Sequence, residues 1–350
     1  MKFKKTLFLL ILLILLGLVA YLLERPKDVT PSADTFPDFT VDAAALIHIR
    51  NKGEVVALVK TDDGWKLEGE QGFPADPDLV KKTLKSIDEL KKEHNVVSNN
   101  PQNQSLFEVD PNSGIEVKVS GQDDKVLANF FVGKTGPDFM STYIRKADSD
   151  EVLLGEGYHL RSSFTRTAKS WYDLNVCSLP SEQIEKISII EGDKRLSLKK
   201  DQDQWLLIDP NQAPAKKAVV DDMVTTLTRL RANDLLKADT LEEYGLAAPR
   251  KQIMVTMSDG SEKKIDIGRQ NDKNQYHVKA EKDVVYLVPQ YSMNKFSKTF
   301  DELKEIPPKE EAKKEGVTPA EGEAGDGKAG IPIGHGTMSE SSPSSESSEK

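Results

Sequence analysis

The chain has 350 residues, a net charge of −9 from 48 Lys and Arg against 57 Asp and Glu, 37% apolar residues and one cysteine, Cys177. An acidic balance without a long basic run excludes the phosphate-neutralising surface that nucleic-acid binding requires, and a lone thiol excludes an internal disulfide framework. One long apolar run excludes a polytopic membrane protein, and the length fits two or three domains.

That run, Thr6 to Leu23, holds eighteen residues without a charge. At 1.5 Å per residue it makes about 27 Å of helix, close to the hydrocarbon thickness of a bilayer. The reading is a cytoplasmic leader (1–5), a transmembrane helix (6–23) and a stalk (24–39), with the rest displayed outside the cytoplasmic (inner) membrane. Lys2, Lys4 and Lys5 face Arg25 and Lys27 across the run, a small positive-inside bias for a cytoplasmic N-terminus. A cleaved signal peptide is the competing reading, but its apolar region is shorter and ends at a small-x-small site, where Leu18-Val19-Ala20 puts leucine. No cysteine follows the run to carry a lipid.

The remainder repeats itself. Residues 47–90 and 187–230, at an offset of 140, share 11 of 44 residues, among them Ile47/Ile187, Leu58/Leu198, Trp65/Trp205, Pro74/Pro214 and Val80/Val220. Average usage predicts about three identities. The offset then shortens: Ile115 and Val117 match Ile253 and Val255 at 138, Gly133 matches Gly268 at 135, and Tyr143-x-x-Lys146-Ala147 matches Tyr276-x-x-Lys279-Ala280 at 133, as do Asp150/Asp283, Val152/Val285, Leu154/Leu287 and Tyr158/Tyr291. Duplication accounts for this shared order.

In the first copy (40–160) hairpin strands are predicted at 54–60 and 65–68, across Thr61-Asp62-Asp63-Gly64. A helix follows, with Asp76 as N-cap, Pro77 at the first position and Val80, Leu84, Ile87 and Leu90 on one face. Strands are predicted at 115–120, 126–132, 141–146 and 152–154. A connector (161–180) carries Phe164, Trp171, Tyr172 and Leu174, the pattern of a packed joint. The second copy (181–305) repeats the hairpin at 195–199 and 205–208, the helix through Val220, Val224, Leu227 and Leu230 without the Pro and cap, and strands at 253–257, 264–267, 275–280 and 284–288. The tail, 306–350, is rich in Pro, Glu, Gly and Ser and is expected to be disordered. The predicted fold class is α+β: two tandem repeats, each an antiparallel sheet with one main helix.

The segment Tyr244-Gly245-Leu246-x-x-Pro249, with Ile253–Met257, Ile267-Gly268, Tyr276 and Val284–Val288, resembles the bacterial "domain of unknown function 4340" family over residues 40–305. The first copy departs from it, with Phe107-Glu108-Val109-Asp110-Pro111. The resemblance implies an N-terminal membrane segment and brings no activity, ligand or catalytic residue. Members are often found beside subunits of ABC-type transporters, which implies an accessory role in envelope export.

No chemistry-bearing constellation stands out in the sequence. His48, His94, His159, His277 and His335 are isolated, no C-x-x-C occurs, and Asp76-Pro77-Asp78 and Asp201-Gln202-Asp203 lack the Gly and distal Glu of a calcium loop. No nucleophile elbow, Walker loop or dinucleotide fingerprint is present, and Gly155-Glu156-Gly157 reads as a turn. Cys177 reads as a small, partly buried residue. Trp65 and Trp205 read as core anchors shared by the copies, with an aromatic ligand site as the alternative, and Tyr143, Tyr276, Lys146 and Lys279 as strand residues. No catalytic, cofactor-binding or metal residue is therefore assigned. The expectation is a membrane-anchored, non-enzymatic envelope protein acting through contacts with a membrane-protein partner, which the resemblance implies to be ABC transporter subunits. The rivals are an envelope-polymer hydrolase, with paired carboxylates in a cleft between the copies, and a small-ligand or glycan-binding module.

Overall fold

The computed structural model describes residues 36–37, 39–69, 72–91, 95–156 and 160–306. The leader, the membrane helix, most of the stalk and the tail beyond Ile306 lie outside them. Among the described residues no helix is long and apolar enough to cross a membrane. The end of the expected stalk belongs to the folded body instead. Phe39 is 5% exposed in the first core and the Phe36 ring meets Phe130 edge-on at 5.6 Å.

The architecture is α+β, two antiparallel sheets each carrying one main helix. The first sheet comprises β1 (Leu46–Asn51), β2 (Glu54–Thr61), β3 (Gly64–Leu67), β4 (Asn95–Ser98), β5 (Ile115–Ser120), β6 (Val126–Thr135), β7 (Ser141–Lys146) and β8 (Val152–Glu156), in the order β3-β2-β1-β5-β6-β7-β8-β4. The second comprises β9 (Ile184–Glu191), β10 (Lys194–Asp201), β11 (Gln204–Asp209), β12 (Ala213–Pro214), β13 (Asp234–Lys237), β14 (Lys251–Met257), β15 (Glu262–Gln270), β16 (Gln275–Lys279) and β17 (Val284–Pro289). Its order, β12-β11-β10-β9-β14-β15-β16-β17-β13, is the same once β12 is set beside the Lys66–Pro74 bridge of the first copy. Gly155 and Glu156, read as a turn, are paired strand residues of β8.

Strand pairing gives the register between the copies. The first hairpins and helices keep the offset of 140 expected from sequence. Two later stretches do not. Val117 faces Ile49, and Ile253 faces Ile189, so Val117 corresponds to Ile253 at 136 rather than to Val255 at 138. Ile144 faces Val132, and Val278 faces Ile267, so Tyr143 corresponds to His277 at 134 rather than to Tyr276. The true offsets fall steadily: 139 for Val96/Leu235, 136, 135 for Val132/Ile267, 134, and 133 for Leu153/Tyr286. From the helix onward the connections of the second copy are shorter, by three residues between the outer strand and the next and by one at each other step. A slip of two keeps the buried face of a strand, which is why matching identities could not expose it, whereas a slip of one reverses it.

Each helix lays one face on its sheet. In α1 (Pro77–Asp88), Asp76 Oδ1 accepts from the backbone N–H of Asp78 and Leu79 at 3.0 and 3.1 Å, a cap that contributes about 1 kcal/mol. Val80, Thr83, Leu84 and Ile87 are its buried residues. In α2 (Lys217–Thr228) the N-cap is Lys216, which offers no side-chain acceptor, and Val220, Met223, Val224 and Leu227 are buried.

The expected connector divides in two. Its first half completes the first unit. Asp76 N donates to Trp171 O at 2.8 Å and Asp173 N to Pro74 O at 2.8 Å, as Lys216 N donates to Leu303 O at 2.7 Å and Glu305 N to Pro214 O at 2.9 Å in the second. Trp171 thus corresponds to Leu303, and both are fully buried. Beyond Asp173 the chain enters the second unit, with Val176 N on Leu230 O and Ala232 N on Leu174 O. Tyr172 packs against both cores and meets Phe73 edge-on at 5.0 Å, while Lys169 pairs with Asp234 at 2.5 Å and the buried Asp173 with Lys282.

Candidate functional site

The residues singled out in the sequence are mostly structural. Trp205 is 7% exposed inside the second core, and Trp65 is half-buried against the first. Tyr143 packs against Phe107 with the rings tilted and their centroids 4.6 Å apart, and the equivalent His277 stacks on Tyr244 at 4.8 Å, with His277 Nδ1 2.7 Å from Arg269 O. Lys146 lies over the Phe36 ring and Lys279 pairs with Asp283 at 3.1 Å. Asp76 caps its helix, Gln202 turns its hairpin, and His94, His159, Tyr158 and His335 lie outside the described residues. Among the described residues no group of three or more His, Cys, Asp or Glu is placed to hold a metal.

Cys177 donates from Sγ to Leu227 O at 3.4 Å, and burial, with a smaller contribution from the charge of Glu281, pushes its thiol up to about 12. The thiolate is the reactive form. A rise from 9.0 to about 12 lowers its fraction at pH 8 about a thousandfold. Iodoacetamide is therefore expected to label Cys177, which is only partly shielded from solvent, far more slowly in the native chain than in urea, read by mass spectrometry. Because the folded value is the higher one, this thiol's contribution to stability is complete below pH 9 and declines as pH rises toward 12. Native labelling at the denatured rate would contradict the burial.

Two features set the copies apart, and sequence reading missed both. The first is a cleft of about 470 Å³ in the second unit. The turn at Gly245, the ends of β14 and β15 (Arg250, Lys251, Gly268, Arg269) and the Met293–Ser297 segment form it. Lys251 Nζ is held by Glu191 at 3.0 Å and Ser297 Oγ at 3.0 Å. Neither Arg250 nor Arg269 makes an ion pair with a described residue.

The second is the loop between β6 and β7. Phe139 and Met140 are 73% and 64% exposed, and Phe139 holds φ +58°. Asp138 Oδ1 fixes the turn by accepting from Met140 N, Ser141 N and Ser141 Oγ at 3.0, 2.9 and 2.5 Å. The Ser141 hydroxyl, then those backbone amides, hold the Asp138 carboxyl below its usual range. At the same place in the second unit stands Asn274, φ +56°, with the matching hydrogen bond to Asn271 O at 3.1 Å. Asparagine tolerates that conformation, whereas a bulky residue there is an outlier.

A family model described as "Domain of unknown function (DUF4340)" matches residues 65–249 and 205–319, so each match begins on the recurring tryptophan. No curated protein and no solved structure matches the chain.

Proposed function

The chain belongs to the DUF4340 family, and on that premise we propose that it is a single-pass, membrane-anchored envelope protein that works by contact with a membrane-protein partner, as an accessory component of an ABC-type transport system, without catalysing a reaction. The apolar run of 6–23 supplies the anchor in this reading, and the region after it faces outside the cytoplasmic membrane.

The observation that carries the reading is the Phe139–Met140 tip. A left-handed aromatic residue costs about 1–3 kcal/mol and is kept where the surroundings hold it for a use. Here an ionised aspartate holds it and most of the ring faces solvent. The second copy relaxes the same turn with asparagine, so folding alone does not require phenylalanine. The packed joint of Phe73 and Tyr172 also supports a rigid presenting body rather than a cleft of paired carboxylates between the copies.

Phe139→Asn with Met140→Gln is expected to leave the unfolding transition unchanged or slightly raised and to abolish the partner trapped by in-cell crosslinking. Capture of the same partner by the variant, or a chain that runs alone under every crosslinker, would defeat the proposal.

A further inference from the structure

We infer that the cleft of the second unit binds a small oxyanionic ligand, a compound carrying a phosphate or carboxylate group, and that the first unit has lost or never held this capacity. The comparison of the copies within one chain carries the argument. In the first unit the corresponding place is occupied and neutralised. Glu108, at φ +55°, stands where Gly245 stands at φ +69°, and the Arg161 guanidinium pairs with Glu108 at 2.9 Å and donates to Gly133 O at 2.6 Å. Three residues before the corresponding Phe164 and Phe296, Arg161 is replaced by Met293, which lines the cleft.

Both members of that internal ion pair are thus absent from the second unit, and three cations stand around the space against one carboxylate, Glu191, which is paired with Lys251 and leaves the two arginines in excess. Arg250, Lys251 and Arg269 take the places of Gly114, Ile115 and Lys134. Lys251 is only 14% exposed and is fixed by Glu191 and Ser297, so it is positioned before any ligand arrives. Arg250 and Arg269 keep their planar donor forks uncommitted, the geometry that suits phosphate and carboxylate oxygens. A cationic cleft on a chain of net charge −9 concentrates the local potential where an anion can approach. Gly245 and Gly268 bring no side chain into the space, and Ile267 and Met293 give it an apolar wall. Its volume falls in the range of small-molecule sites.

The test is a titration of the full chain at low salt with inorganic phosphate, and separately with succinate, followed by the methyl resonance of Met293 and by calorimetry. A saturable shift with at least one of the two anions is expected. Arg250→Gln and Arg269→Gln, both exposed enough to leave the fold intact, should each weaken it about tenfold, the value of one charge-assisted hydrogen bond. Gly245→Glu, which returns the carboxylate of the first copy, should abolish it. Binding to vesicles containing anionic phospholipid, lost in the same variants and absent with the free anions, would identify the ligand as a lipid headgroup and support the site. No saturable shift with phosphate, succinate or vesicles, or affinity unchanged by Arg269→Gln and Gly245→Glu together, would overturn the inference.

Discussion

Trp171→Ala is expected to lower the unfolding free energy by about 3–5 kcal/mol, the cost of emptying a fully buried aromatic site. Trp171 is 0% exposed and closes the first core from a segment that is otherwise only a short 3₁₀ turn. Three consecutive residues there divide their work. The Trp171 ring fills the first core, Tyr172 reaches the second against Phe73, and Asp173 pairs with Lys282. The backbone on either side is tied to Asp76 N and Pro74 O. A void at Trp171 should therefore loosen the joint as well as the core beneath it. Urea unfolding followed separately through Trp65 and Trp205, one in each unit, should show the larger shift at Trp65. A loss under about 1 kcal/mol would mean that the core collapses onto the vacancy and that the segment is not its keystone.

Much of this architecture was legible because duplication leaves two readings of one pattern. The Asp76-Pro77 start, the buried face through Ile87 and the hairpins across Thr61–Gly64 and Asp201–Asp203 are local signals, and each lies where the sequence places it. The outer strands β4 and β13 were not legible. Asn95–Ser98 and Asp234–Lys237 have four residues each, and only the pairing of β8 and β17 with them makes them strands. Trp171, expected in a connector, belongs to the first unit because two hydrogen bonds distant in sequence fix it there. The candidate sites escaped for a different reason. A search for recurrence finds what both copies need to fold, whereas Gly245 against Glu108 and Phe139 against Asn274 are differences. Their meaning depends on the register that only strand pairing supplies.

Gly268→Ala is expected to cost about 3 kcal/mol or more, through overpacking that the backbone cannot relieve. A methyl group at Gly268 would lie 2.2 Å from Tyr244 O and 3.0 Å from Leu246 Cγ, and at Gly133 it would lie 2.2 Å from Phe107 O. In both units the turn rests directly on the bare strand, and those same carbonyls accept from Arg269 N at 2.7 Å and Lys134 N at 3.1 Å. A glycine inside a strand marks such a close approach. Gly260→Ala provides the contrast. It has φ +81° and open space around it, so only the backbone preference, about 1 kcal/mol, is at stake. Thermal or urea unfolding should rank Gly268→Ala well below Gly260→Ala, with Gly133→Ala beside the former. The substitution also reaches the cleft, because pushing Tyr244 away displaces Gly245 and the Arg269 side chain packed on it. Anion affinity should therefore fall in Gly268→Ala at temperatures where the chain remains folded, while Gly133→Ala leaves it intact. Equal stability of Gly268→Ala and Gly260→Ala would show that the turn can lift off the strand, and the explanation for this paired glycine would be wrong.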